Sequence, residues 1–196
     1  RLLAPVKRGR RTLPEITLAG KQRLLTTIPV YDEIRIWDGR MHLVTYDIPE
    51  KQRTKRDALR EQLHKIGAGK LQDSVWLTPY NPIDLLRDFV KKEQLSGTVI
   101  VSDMGKDSAI GEEDVKSLVV RLWQLDRLNY HYADWIAALN ITDTFDRWLL
   151  VSYLAILKSD PQLPFPLLPK WWKGNQVYNL IKPKLKELDF HLRPRE

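Results

Sequence analysis

A chain of 196 residues with 43% hydrophobic content can bury one ordinary core and a smaller satellite, and that composition excludes a fibrous or disordered polymer. The absence of cysteine removes disulfides, thiolate metal sites and cysteine nucleophiles, and it fits a reducing compartment, so the cytoplasm is the expected location. The longest apolar run, Trp148 to Leu157, falls well short of the roughly 20 residues that a membrane span needs, so no transmembrane segment and no membrane partner are expected.

The formal net charge is +7, and its distribution says more than its size. Residues 1–23 hold Arg1, Lys7, Arg8, Arg10, Arg11, Lys21 and Arg23 against Glu15, a net +6. A positive segment on a near-neutral body favours a phosphate-rich partner, because each Lys or Arg placed on a phosphate releases a condensed counterion. A solvated basic tail is the alternative. The same segment reads as a Gly-containing basic turn, an extended stretch through Ile16 and Leu18, and a helix from Ala19 to Leu25. Pro29 and Gly39 bracket a run with no sustained period, which predicts a linker.

"MHLVTYDI", Met41 to Ile48, alternates two apolar-bearing faces and suits a strand covered on both sides and central in its sheet. Thr54 and Asp57 resemble a capping box, and Leu59, Leu63 and Ile66 then recur at helical spacing until Gly67 and Gly69. "KLQDSVWLTPY" predicts one or two short strands closed by Pro79 and Pro82. A helix from Ile83 to Lys92 and a strand over "TVIVSDM" follow. Strand, helix, two strands, helix, strand is the βαββαβ order of a ferredoxin-like plait, so the fold class is α+β. After Gly111 the periodicity is helical: one long helix over "EEDVKSLVVRLWQLDRLNYHYADWIAAL", one from Thr144 to Leu157, and one from Asn175 to Leu188.

Several separated strings carry a family likeness. "WDGRMHLV", "YDIPEKQRTKRDALREQLHKIGAGKLQDSVWLTP" and "SDPQLPFPLLPKWWKG" resemble the PaaX-type transcriptional repressors of phenylacetate catabolism, in order and across almost the whole chain. The resemblance implies a winged helix-turn-helix, a ferredoxin-like domain and a helical C-terminal domain. It also implies double-stranded DNA as partner, a homodimer, and release by an aryl-acyl coenzyme A effector. "RRTLPEITLAGKQRLL" looks like the wing and the helix after it, so the groove-reading helices are expected upstream of Arg1. The expected division is 1–27 for this winged-helix remnant, 28–39 for the linker, 40–110 for the ferredoxin-like domain and 111–196 for the helical domain. Lys7, Arg8, Arg10, Arg11 and Lys21 are the candidate DNA-binding residues. The central piece also resembles the small ferredoxin-like CRISPR-associated endonuclease, in which an aspartate at the position of Asp47 binds metal across a dimer.

On residue chemistry Asp47 is a poor catalyst. Metal-assisted phosphodiester cleavage gathers several oxygen ligands on one or two ions, and Asp47 is a single carboxylate. Asp103 closes an antiparallel neighbour strand and so falls at the other end of the sheet. The expected role of Asp47 is to bond backbone donors of the turn before Pro49. A metal-dependent nuclease, or a silent CRISPR-associated module, remains the alternative, with Asp47 as metal ligand in the nuclease case alone. No enzyme activity, metal or cofactor is expected, since His42, His64, His131 and His191 lack ligand spacing and no phosphate loop, nucleophile elbow or H-E-x-x-H occurs. Arg53, Arg56 and Arg60 share a helix face and are the candidate ligand-binding residues for an acyl-coenzyme A phosphate; a solvated face paired to Asp57 and Glu61 is the plainer reading. "PQLPFPLLP" predicts a rigid strap packed on the helices, and Trp123, Trp135 and Trp148 are expected in the core.

Overall fold

The computed structural model describes residues 3–9, 11–19, 23, 28–105, 113–142 and 145–192. It is a mixed α+β chain that divides into two compact units. One comprises residues 1–31, 128–160 and 172–196; the other comprises 32–127 and 161–171. The chain therefore passes from one to the other four times, after residues 31, 127, 160 and 171.

The first unit opens with a hairpin. β1 (Leu3–Arg8) pairs antiparallel with β2 (Arg11–Ile16), in register from Leu3↔Ile16 to Arg8↔Arg11, with Gly9 at positive φ in the turn. Pro5 lies opposite Pro14. Proline is confined to edge strands, and a two-stranded ribbon consists of nothing else. The basic turn and the extended stretch to Ile16 are as expected. Leu18, Ala19 and Arg23 are helical, and the rest of the predicted helix lies outside the described residues.

The second unit holds β3 (His42–Asp47), a 3-10 turn (Glu50–Gln52), α1 (Arg53–Lys65), β4 (Gly69–Gln72), β5 (Val75–Thr78), α2 (Ile83–Lys92), β6 (Thr98–Asp103) and α3 (Val115–Leu122). Its four strands lie in the order β4-β5-β3-β6, each pair antiparallel, so β3 is central as its two apolar faces predict. Val44, Tyr46 and Trp76 from the sheet, Leu59 and Leu63 from α1, and Leu86 from α2 form one core, with Val99 and Val101 at its margin. Leu59 and Leu63 are fully buried, and a leucine in that setting contributes about 1.5–3 kcal/mol. Helix α1 ends on Gly67, whose φ of +73° follows the C-cap Ile66, while the Ala68 N–H donates to Leu63 O at 3.0 Å. Its start differs from expectation. Gln52 is the N-cap and makes no side-chain cap bond, so Thr54 and Asp57 form no capping box; the preceding 3-10 turn, closed by Gln52 N–H to Pro49 O at 2.8 Å, takes that place.

The long helix expected after residue 111 is two. α3 stops at Leu122, Gln124 takes a φ of +49°, and α4 (Leu125–Ile141) begins. The Trp123 indole N–H donates to Gly67 O at 2.8 Å, and its ring lies 3.0 Å from where a Cβ on Gly69 would stand. A tertiary bond thus interrupts a helix whose apolar period continues unbroken in sequence. α5 (Arg147–Ser159) and α6 (Gly174–Leu192) complete the first unit. Leu128, Tyr132 and Trp135 of α4, Leu149, Tyr153 and Leu157 of α5, and Val177 and Ile181 of α6 are its buried side chains. Trp135 donates to Leu149 O at 2.7 Å, Tyr132 donates to the buried Asp160 at 2.8 Å, and Tyr31 stacks on Tyr178 with ring centroids 3.9 Å apart.

One expectation fails here. Trp148 is 71% exposed, on the side of α5 away from Leu149, Tyr153 and Leu157. The strap buries Leu163 and Leu167 as predicted, and Trp172 just after it meets Tyr132 of α4 edge-on with ring centroids 5.4 Å apart, while its polar anchors lie in the second unit. Arg35 donates to Leu163 O at 2.9 Å and lies 4.7 Å from the Phe165 ring centroid, while Gln162 accepts the Asp32 N–H at 2.6 Å.

Candidate nucleic-acid interface

In the hairpin the two-residue connection sets Arg8 directly across from Arg11, next to an exposed Lys7. Four cationic positions, counting Arg10, therefore fall within one tight turn of the sequence. Arg10 and Lys21 lie outside the described residues.

The fold regroups the rest of the charge. The unit containing the hairpin has 15 Lys and Arg against 8 Asp and Glu, a net +7, whereas the sheet-bearing unit has 17 against 17. Every unit of net charge thus belongs to the first. Residues 172–196 contribute six Lys and Arg against three Asp and Glu. Sequence reasoning missed that contribution because the acidic stretch 128–160 cancels most of it in a linear count.

The arginines of α1 behave differently. Arg56 pairs with Glu50 at 2.7 Å, Arg53 and Arg60 approach Asp57 at 3.9 and 3.4 Å, and Glu61 pairs with Lys65 instead. Arg60 Nε also donates to Tyr46 OH at 3.0 Å, whose own proton goes to Asp73 O at 2.7 Å. The group is thus knitted to the β4–β5 turn. The Arg56 hydrogen bond holds Glu50 below the ordinary glutamate range, and Lys70, then Arg60, do the same for Asp73. Arg53, 73% exposed, is the least engaged of the three. The Glu50 partner was not anticipated, since it sits in the turn before the helix.

Asp47 and Asp103 close opposite ends of adjacent strands, as expected: Asp47 is in register with Thr98 and Asp103 with His42, about 16 Å away at strand rise. Asp103 is held below the ordinary aspartate range by the Gly105 N–H and by its ion pair with Arg40. The exposed Asp47 carboxylate makes no bond to the turn before Pro49; the close contact there is its backbone carbonyl, 2.4 Å from where a Cβ on Gly97 would stand. Among the described residues no three His, Asp or Glu side chains are grouped to hold a metal, and no helix is long and apolar enough to cross a membrane.

Comparison with known proteins bears on this arrangement. Residues 35–119 match the PaaX protein central Cas2-like domain, and residues 144–191 match the PaaX-like protein C-terminal domain. With both domains present in order, the chain belongs to the PaaX family. It is also similar to a solved structure, the uncharacterized protein Rv0674 from Mycobacterium tuberculosis, with a TM-score of 0.57 and 18% identity over 89% of this chain and 68% of that one. That likeness is one of fold. No curated protein sequence matches the chain.

Proposed function

We propose that the protein is a non-enzymatic, DNA-binding transcriptional regulator of the PaaX type, acting as a homodimeric repressor in the cytoplasm. The observation that carries the reading is the confinement of the whole net charge to the unit that bears the basic hairpin. The strand order β4-β5-β3-β6 supports a ferredoxin-like plait as its central scaffold, and the hairpin supports a winged-helix origin for residues 1–27. A hairpin of this kind reaches phosphates through Lys7, Arg8, Arg10 and Arg11, with Lys21 following it in sequence as a further candidate, and phosphate contacts position a protein without reading sequence. Binding is therefore sequence-tolerant and steeply salt-dependent. Fluorescence anisotropy on mixed duplexes over a salt series tests this; binding that does not weaken with salt would overturn it.

An aryl-acyl coenzyme A is the proposed effector, with Arg53, Arg56 and Arg60 offered to its phosphates. The exposed Arg53 makes first contact, and Arg56 exchanges Glu50 for the ligand. Addition of the thioester should release DNA from the wild type and not from Arg53→Gln/Arg56→Gln.

A further inference from the structure

We infer that the outward faces of α4 and α5 form a contact between two copies of this chain, α4 of each lying antiparallel against α5 of the other. The inference deepens the homodimer reading above and rests on it. Within one copy the two helices run antiparallel: Tyr132 bonds Asp160, whereas Trp135, farther along α4, meets Leu149 and Tyr153, farther back along α5. Leu128, Tyr132 and Trp135 point inward from α4, and Leu149, Tyr153 and Leu157 do so from α5. At 3.6 residues per turn the opposite side of α4 carries Tyr130, Asp134, Ala137 and Ile141, and that of α5 carries Trp148, Val151, Ala155 and Lys158. All of these are exposed, and Tyr130 at 66%, Ile141 at 84%, Trp148 at 71% and Val151 at 52% are large apolar groups left in water.

Single exposed apolar residues are ordinary on a protein surface, but here they recur at intervals of three and four residues, the spacing of a seam between helices. The two rows complement each other. Laid antiparallel, they set Ile141 against the partner's Trp148, the small Ala137 against the partner's Val151, and Tyr130 with Asp134 around the partner's Lys158. Asp134 is the one charge in its row and Lys158 the one charge in the other, and neither has an ion pair with a described residue. A row laid on its own copy finds no opposite charge, whereas α4 on α5 pairs carboxylate with ammonium and places that ammonium beside the Tyr130 ring. Because α4 and α5 are antiparallel within a copy, a two-fold axis along the helices makes the same pairing twice, and the contact closes at two chains. The occupant that supplies both complements at once is therefore a second copy.

Sedimentation equilibrium on full-length variants, each first shown by circular dichroism to keep its fold, tests the contact. Ile141→Ser/Trp148→Ser should raise the dimer dissociation constant at least about 100-fold. Asp134→Lys and Lys158→Glu should each raise it about three- to tenfold, and the two combined in one chain should return it to within about threefold of wild type, because the ion pair is rebuilt with its signs exchanged. Ile34→Ser/Ile36→Ser, which removes two exposed apolar groups from the sheet-bearing unit, should leave the constant unchanged; an equal loss there would mark unspecific apolar association and overturn the contact. A wild-type dimer whose constant does not move in Ile141→Ser/Trp148→Ser pairs through another surface, which overturns the contact and leaves the homodimer reading intact. A wild type that stays monomeric up to about 100 µM overturns both. Vesicles containing phosphatidylglycerol form a separate arm: if Ile141→Ser/Trp148→Ser abolishes vesicle binding beside an unchanged dimer constant, the face belongs to a membrane surface and the inference fails.

Discussion

In the sheet-bearing unit cations stand beside carboxylates, both along helices and across turns: Arg56 with Glu50, Lys65 with Glu61, Lys70 with Asp73, Arg87 with Asp84, Arg121 with Glu113. The other unit has nearly two cations for each anion and is held inside by aromatic side chains, with Tyr132 bonded to Asp160 and Trp135 to Leu149. Exposed ion pairs are worth little to stability, about 0–1 kcal/mol each. Their effect is to cancel the field around the central scaffold, so that the long-range attraction for a polyanion comes from one part of the molecule. Stability in both units resides in apolar burial, and charge is left to function.

The strongest test of that division is Leu63→Ala, which empties a fully buried position in the central core and should cost about 2–5 kcal/mol. If the units unfold independently, calorimetry will show one transition lowered and one unmoved; a single lowered transition would make them one cooperative block. Gly97→Ala should cost about 1–3 kcal/mol, because φ is +122° and the new Cβ would meet Asp47 O at 2.4 Å. A melting temperature within a degree of wild type would show that the β6 entry relaxes freely. In the other unit Tyr132→Phe removes the hydroxyl that donates to buried Asp160 and should cost about 1–3 kcal/mol in denaturant titration. Acid should act on the paired unit. Glu50, Asp73 and Asp103 have folded values below their ordinary 4.5, 3.8 and 3.8, so their contribution is present above those values and is lost as pH falls through the lower folded ones. Melting curves from pH 6 to pH 2 should therefore decline less for Arg56→Met than for wild type, and 0.5 M salt should narrow the difference. The smallest effect is expected at Asp47→Ala, within about 0.5 kcal/mol, since the carboxylate is exposed and bonds nothing described. It should also leave nucleic acid as intact as wild type does with magnesium or manganese; a metal-dependent cleavage lost on this substitution would reinstate the nuclease alternative.

Much of the central unit was legible because its signals are local. The alternation of β3, the Leu59–Leu63 spacing and the stop at Gly67 each report a period or a backbone preference that packing then respects. What escaped was set by partners distant in sequence. Nothing near Trp123 announces that its indole N–H will bond Gly67 O, 56 residues earlier, and so break a helix. In α5, apolar residues cover the whole circumference, so periodicity could not tell that Leu149 faces inward and Trp148 outward. The candidate interface was half legible: a basic run is visible in any charge count, whereas the cationic excess of residues 172–196 is masked in a linear count by the acidic segment 128–160, which the fold keeps in the same unit.

The repeated passage of the chain between units carries a consequence for synthesis. Residues 32–127 emerge from a ribosome together, yet their unit stays incomplete until Leu163 and Leu167 arrive, with α4 and α5 already made and waiting for α6. Neither unit can finish folding while the other is unbegun, and both need segments made after residue 160. A stop codon after residue 160 would therefore remove the buried Leu163 and Leu167 from one unit and Val177 and Ile181 from the other, so that a single truncation reaches the packing of both.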